Sequence, residues 1–177
     1  MSEPRRIYAR EEIDERVREV GREITADGIG APLVAVCVIK GAVVFFADLV
    51  RSINGADVRF ASVAAKSYKA DGNRMTSAGE VKLEYVSFSP EEIKGADVLL
   101  VEDIVDTGRT IAALKAYCES LGAERVRIAA LLDKPDCRVA DVAPDYAAFT
   151  IKGDPYIVGY GLDNMQKYRN LDGIFVI

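Results

Sequence analysis

Hydrophobic and polar positions along this chain follow two periods in turn. Between about residues 9 and 26, Ile13, Val17, Val20 and Ile24 recur three or four apart among charged residues, which predicts an amphipathic helix ended near Gly28. "LVAVCVI", residues 33–39, is apolar throughout and predicts a buried strand. From Gly41 to Ile53 the placing of Val43, Phe46, Ala47 and Val50 suits a helix packed on a sheet, stopped by Asn54-Gly55. "DVRFASVAA" (57–65) and "VKLEYVSF" (81–88) predict two more strands. Between them lies "KSYKADGNRMTSAGE" (66–80), far longer than the two to five residues of a hairpin turn, and a loop of that kind is expected to be functional. After "SPEEIKGA" comes a predicted strand "DVLLVED" (97–103), then a helix with Ile111, Leu114, Cys118 and Leu121 on one face and Gly122 at its end. "RVRIAALLDK" (125–134) predicts another strand.

Strands separated by helix-length amphipathic segments predict right-handed crossovers and an α/β fold: a doubly wound, mostly parallel sheet flanked by helices. The last forty or so residues hold the short apolar runs "YAAFTI", "YIVGYGL" and "GIFVI", read as extra strands forming a small C-terminal/N-terminal hood over one end of the sheet. No repeat or linker divides residues 1–177, so a single domain is expected.

Composition narrows the chemistry. The chain has no histidine and three widely separated cysteines, which removes the usual zinc and Ser-His or Cys-His arrangements. Catalysis is left to Asp, Glu, Lys, Arg or a metal. A net charge of -5 argues against nucleic acid as the main partner, since duplex affinity rests on clustered Lys and Arg. No apolar run reaches the roughly 18 residues of a membrane span, and the charged N-terminus lacks a signal-peptide core. No membrane partner and a cytoplasmic location are expected.

The densest chemistry lies in "VLLVEDIVDTGRT", residues 98–110. In open α/β sheets ligands bind beyond the carboxyl ends of strands, where Glu102 and Asp103 fall. Two ionised carboxylates accept from a vicinal diol such as that of ribose, or hold Mg2+. The Asp106-Thr107-Gly108-Arg109-Thr110 turn leads into a helix, whose first N–H groups and dipole attract an anion. Helix capping alone is the competing reading, but a cap does not require adjacent acids at a buried strand end.

The stretch resembles the phosphoribosyl diphosphate-binding signature of the type I phosphoribosyltransferases, in the form found in hypoxanthine-guanine phosphoribosyltransferases. The hydrophobic run, Glu102-Asp103, Asp106-Thr107-Gly108 and Thr110 fall in register, and further landmarks follow from about Val34 to Ile177. The resemblance implies transfer of a 5-phosphoribosyl group to N9 of hypoxanthine or guanine, with Mg2+ as cofactor and a homodimer or homotetramer as assembly. Asp106 would be the catalytic base at N7 of the purine. Lys40, Gly41, Glu102, Asp103, Asp106, Thr107, Gly108, Arg109, Thr110 and Arg169 would bind phosphoribosyl diphosphate, with a cis peptide commonly found at or before the lysine. Lys134 would donate to the purine 6-oxo group, Tyr156 would stack on the ring, Ile157 would offer backbone contacts, and Asp163 would lie near the amino edge. Glu102, Asp103 and Asp163 would hold the metal. Ser67 and Tyr68 resemble the family's mobile lid, although the "KADGNRM" insertion departs from the common pattern.

Lacking that resemblance, Gly41 reads as turn punctuation, Lys134 as a surface turn, Tyr156 as a core residue and Arg169 as a solvated charge. Tyr160 competes with Tyr156 for stacking. Two other classes stay open: an RNA-binding, nucleotide-sensing regulator on the same scaffold, and a phospho-acceptor signalling domain. The first wants a basic face, and the second wants its acid pair near the N-terminus.

Overall fold

The structure, a computed structural model, describes residues 4–29, 32–55, 57–67 and 81–177. A six-stranded sheet holds β2 (Leu33–Val38), β3 (Val58–Ser67), β4 (Val81–Val86), β5 (Asp97–Val105), β6 (Arg125–Asp133) and β7 (Tyr146–Thr150). Their spatial order is β4-β3-β2-β5-β6-β7, parallel except for antiparallel β4. Helix α1 (Arg10–Ala26) and helix α2 (Val43–Val50) lie on one face; α3 (Pro90–Ile93) and α4 (Arg109–Ser120) lie on the other.

Helices on both faces explain the continuous apolar strands, because each strand must bury both sets of alternating side chains. In β2, Leu33, Ala35 and Cys37 join the core beneath α1 and α2, whereas Val34, Val36 and Val38 join the core beneath α4. Helix α1 buries Ile13, Val17, Val20 and Ile24, the set its spacing predicts. It approaches α2 so closely at Gly21 that an added Cβ would lie 2.5–2.8 Å from Ser52.

Two expectations are corrected. "YAAFTI" is not part of the hood: it is β7, the parallel edge strand beside β6. The hood is, as expected, built from both chain ends: β1 (Arg5–Tyr8), β9 (Ile174–Val176) and β8 (Ile157–Val158), an antiparallel sheet in which the N-terminal strand pairs with the last one. Strand β5 runs two residues past "DVLLVED", to Val105, so the acids lie two to three residues before its end rather than at its last positions. Hood and main sheet meet where Tyr8 stacks on Phe149, ring centroids 3.9 Å apart.

At the opposite end of the sheet from these acids, Asp97 is buried at the start of β5. It accepts from Arg125 at 2.6 Å and Arg127 at 2.7 Å, and Arg127 donates onward to the hydroxyl of Tyr146. A buried carboxylate tolerates that position only because its charge is paired and hydrogen-bonded.

Candidate active site

The chain winds outward from β2 to β3 on one side and from β5 through β6 to β7 on the other, so strand order reverses between β2 and β5. Both loops that leave this switch point carry predicted site residues, as the topology of open sheets requires. After β2, the Ile39–Lys40 peptide is cis, and exposed Lys40 leads to Gly41. Gly41 lies against the end of β5: a Cβ there would fall 1.6 Å from Asp103 Oδ2. The hood closes on the same spot, since a Cβ on Gly161 would lie 2.2 Å from the Gly41 carbonyl oxygen.

Glu102 is 8 % exposed, and its Oε2 is buried without a hydrogen-bond partner. Burial and the neighbouring Asp103 carboxylate push its pKa well above the ordinary carboxylate range. Burial also raises Asp103, offset in part by hydrogen bonds and by the charge of Arg169; Asp103 Oδ1 accepts from the Ile104 amide at 2.9 Å. The same surroundings push the Cys37 thiol behind them up to about 12, so it stays protonated and inert. Among the described residues neither acid forms an ion pair, and Arg169 acts on Asp103 only through its field. The acid pair fits a divalent cation or a pair of hydroxyl donors, either of which would occupy the orphaned oxygen.

The turn after β5 does not use its acids as helix caps. The N-cap of α4 is Gly108, at φ +79°, with no side-chain cap. The positive φ there favours glycine. Asp106, Thr107, Gly108, Thr110 and Ile111 join Glu102 in lining a cleft of about 250 Å³. The first amides of α4 have no partner within the helix, so the cleft combines them with two threonine hydroxyls. Arg109 is exposed at the first helical position.

A second cleft, of about 470 Å³, adjoins the first through Ile104 and Asp106. Its lining includes Asp103, Lys134, Asp154, Tyr156, Ile157 and Asp163. Tyr156 is 54 % exposed, whereas Tyr160 is 1 % exposed with its hydroxyl donating to Asp48 at 2.6 Å. Tyr160 is therefore a core residue and no competitor for stacking, and neither is Tyr156 a core tyrosine. Lys134 is likewise not a surface turn: it is buried, and its ammonium pairs with Asp154. That charge and hydrogen bond hold Asp154 below the usual carboxylate range.

Arg169 donates to the Gly161 carbonyl at 2.7 Å and pairs with Asp163 Oδ1 at 2.7 Å. The other Asp163 oxygen accepts from the Gln166 amide at 2.7 Å. Asp163 thus lines the second cleft with both oxygens engaged. Among the described residues, the donors that come within 4.8 Å of one another as a group of three are Asp106, Cys137 and Asp154; Glu102, Asp103 and Asp163 are not drawn together in that way. Ser67 ends β3, and Tyr68 lies outside the described residues.

Local spacing gave no sign of Asp154, Cys137 or Arg138 as neighbours of Asp106. Their contacts span 16 to 33 residues of chain and arise only when the strand ends are brought together. The single available hint was the clustering of charge in "LLDKPDCR".

The comparisons with known proteins agree with this geometry. A family model described as phosphoribosyl transferase domain matches residues 5–164. The hypoxanthine-guanine phosphoribosyltransferase of Bacillus subtilis is 37% identical over 172 residues, covering 97% of this chain and 91% of that protein. That of Streptococcus thermophilus is 37% identical over 171 residues, with the same coverage of 97% and 91%. Among solved structures, a hypoxanthine-guanine phosphoribosyltransferase from Bacillus anthracis superposes with a TM-score of 0.87 at 35% identity, covering 100% of this chain and 99% of that one. With the acid pair, the glycine-capped turn and the adjoining cleft all in the places this fold assigns to a ligand, the chain belongs to the phosphoribosyltransferase family.

Proposed function

We propose that the protein transfers the 5-phosphoribosyl group of phosphoribosyl diphosphate to N9 of a 6-oxopurine, hypoxanthine or guanine, releasing pyrophosphate in purine salvage. The observation that carries this reading is Asp106, which lines both clefts and stands where a sugar held in one would meet a base held in the other.

In this reading the turn from Asp106 to Thr110 grips the 5-phosphate with amides and hydroxyls, while Glu102 and Asp103 face the ribose diol. Lys40, Gly41 and Arg169 surround the diphosphate. Arg169 needs only to exchange Asp163 for a phosphate oxygen, and a planar guanidinium suits either. Tyr156 stacks on the purine, Ile157 contacts it through the backbone, and Lys134 turns from Asp154 to the 6-oxo group. The C1–O bond breaks through an oxocarbenium-like state. Asp106 accepts the proton or charge that develops at N7 as C1 bonds to N9, a role of the kind that contributes about 10²–10⁴-fold. Mg2+ held at Glu102 and Asp103, with Asp163 nearby, would neutralise charge on the departing diphosphate. Ser67 and Tyr68 would serve to exclude water from the reacting carbon.

Residues 1–177 act as one catalytic domain, working in the cytoplasm, where its three free cysteines stay reduced. No helix among the described residues is long and apolar enough to cross a membrane. Assembly as a homodimer or homotetramer is supported by the apolar surface on the α2 side of the sheet, where Val43 is 47% and Phe60 67% exposed. An absorbance assay with phosphoribosyl diphosphate, Mg2+ and each purine in turn tests the reading. Conversion of hypoxanthine or guanine supports it, and no conversion of any purine rejects it.

A further inference from the structure

Arg138 lies behind the phosphate-facing turn and is almost wholly committed to it. Its Nε donates to the Asp106 carbonyl at 2.9 Å and its Nη2 to the Val105 carbonyl at 3.1 Å. Nη1 donates to the Val142 carbonyl, and Nη2 also pairs with Asp133 at the end of β6. The next two residues continue the pattern, since the amides of Val139 and Ala140 both donate to the Thr107 carbonyl at 3.0 Å. The stem of Arg138 packs under Gly108, where a Cβ would meet its Cδ at 2.7 Å. Three consecutive carbonyls, those of Val105, Asp106 and Thr107, are therefore tied to one short segment.

A carbonyl oxygen is the negative end of its peptide dipole and repels an incoming phosphate. A turn binds an anion well when its carbonyls are held away and its amides are left toward the ligand. Asp133 balances the charge of Arg138, so what Arg138 supplies is direction: a rigid fork whose N–H groups reach two carbonyls of the turn and the Val142 carbonyl at once.

We propose that Arg138 is a positioning residue for the sugar-phosphate site. It never touches the ligand, and it holds the backbone of Val105 to Gly108 in the conformation that receives a 5-phosphate. The inference rests on the transferase reading, because it assigns the turn to the 5-phosphate and places the pyrophosphate at the separate Lys40–Gly41 loop.

That separation supplies the test. Calorimetry would measure ribose 5-phosphate, and separately pyrophosphate with Mg2+, binding to the unaltered protein and to Arg138→Lys, which keeps the charge opposite Asp133 but loses the fork. The expected result is a loss of ribose 5-phosphate affinity of about 10- to 100-fold, as a misplacement near 1 Å can cause, with pyrophosphate affinity unchanged. The double variant Arg138→Gln/Asp133→Asn leaves no lone buried charge and should show the same selective loss with a thermal midpoint near that of the parent. Equal loss of both ligands, or ribose 5-phosphate affinity unchanged in either folded variant, would overturn the proposal. An unaltered protein that binds neither ligand would instead count against the transferase reading itself.

Discussion

Gly41→Ala is the substitution whose consequence the structure fixes most closely. Gly41 does not have a positive φ, so alanine is conformationally acceptable there and a glycine serving only as turn punctuation would tolerate it. Space forbids it. The new Cβ would lie 1.6 Å from Asp103 Oδ2, and restoring an ordinary contact of 3.4 Å requires a shift of about 1.8 Å. The obstructing atom is the end of a side chain, so Asp103 swings aside and the fold persists. The cost to stability is then chiefly the hydrogen bond from the Ile104 amide to Asp103, about 0.5–1.5 kcal/mol. The cost to function is larger, because a carboxylate displaced by more than 1 Å no longer meets its ligand. A loss of about 10²-fold in kcat/KM for phosphoribosyl diphosphate, near 2.7 kcal/mol, is expected. A double-mutant cycle with Asp103→Ala isolates the cause. Once the carboxylate is gone the clash is gone, and Gly41→Ala should then cost less than about 3-fold. Steady-state kinetics and thermal melts on the four proteins give all the required numbers. Additive losses, with Gly41→Ala costing the same in both backgrounds, would refute the argument that the glycine exists to admit Asp103.

Five further outcomes are expected. Asp106→Asn should retain phosphoribosyl diphosphate binding by calorimetry but slow turnover about 10²–10⁴-fold; unchanged turnover would remove Asp106 from the chemistry. Because the pKa values of Glu102 and Asp103 are both raised and a cation or diol needs the groups ionised, Mg2+-dependent affinity should fall as pH is lowered through those values. Binding should also release protons, visible as a buffer-dependent heat that Glu102→Gln reduces. For stability, a raised carboxyl favours the folded state below its unfolded value of about 4.3 and loses that contribution as pH rises. Glu102→Gln should therefore raise the melting temperature at pH 7 more than at pH 4, and a larger gain at pH 4 would contradict the assignment. Asp97→Ala leaves buried Arg127 without its carboxylate and should destabilise by about 3–5 kcal/mol in a denaturant titration.

The parts of the structure legible in the sequence were those set by local periodicity. Strands β2, β5 and β6 are buried on both faces and read as unbroken apolar runs, and α1 carried its core face at regular spacing. Strand β7 was misplaced for an identifiable reason. The connection from β6 contains a three-residue 3-10 turn, Pro135–Cys137, and no crossover helix, so nothing local marked a parallel neighbour. Strand β1 is four residues of "RRIY", with too few apolar positions to show a period, and it forms because β9 supplies a partner. The acids and the turn of the site were legible because they are contiguous. What supports them was not: Arg138, Asp154 and the choice between Tyr156 and Tyr160 depend on contacts such as Tyr160 to Asp48, separated by 112 residues.

The central claim is that the acids at the end of β5 and the turn after them together hold an activated ribose phosphate. Isothermal titration of phosphoribosyl diphosphate into the folded protein with Mg2+ and no purine tests it most directly. One site per chain, lost in Glu102→Gln/Asp103→Asn and retained in Asp106→Asn, is the predicted result. No heat with the parent protein, or binding untouched by removal of both strand-end charges, would contradict it.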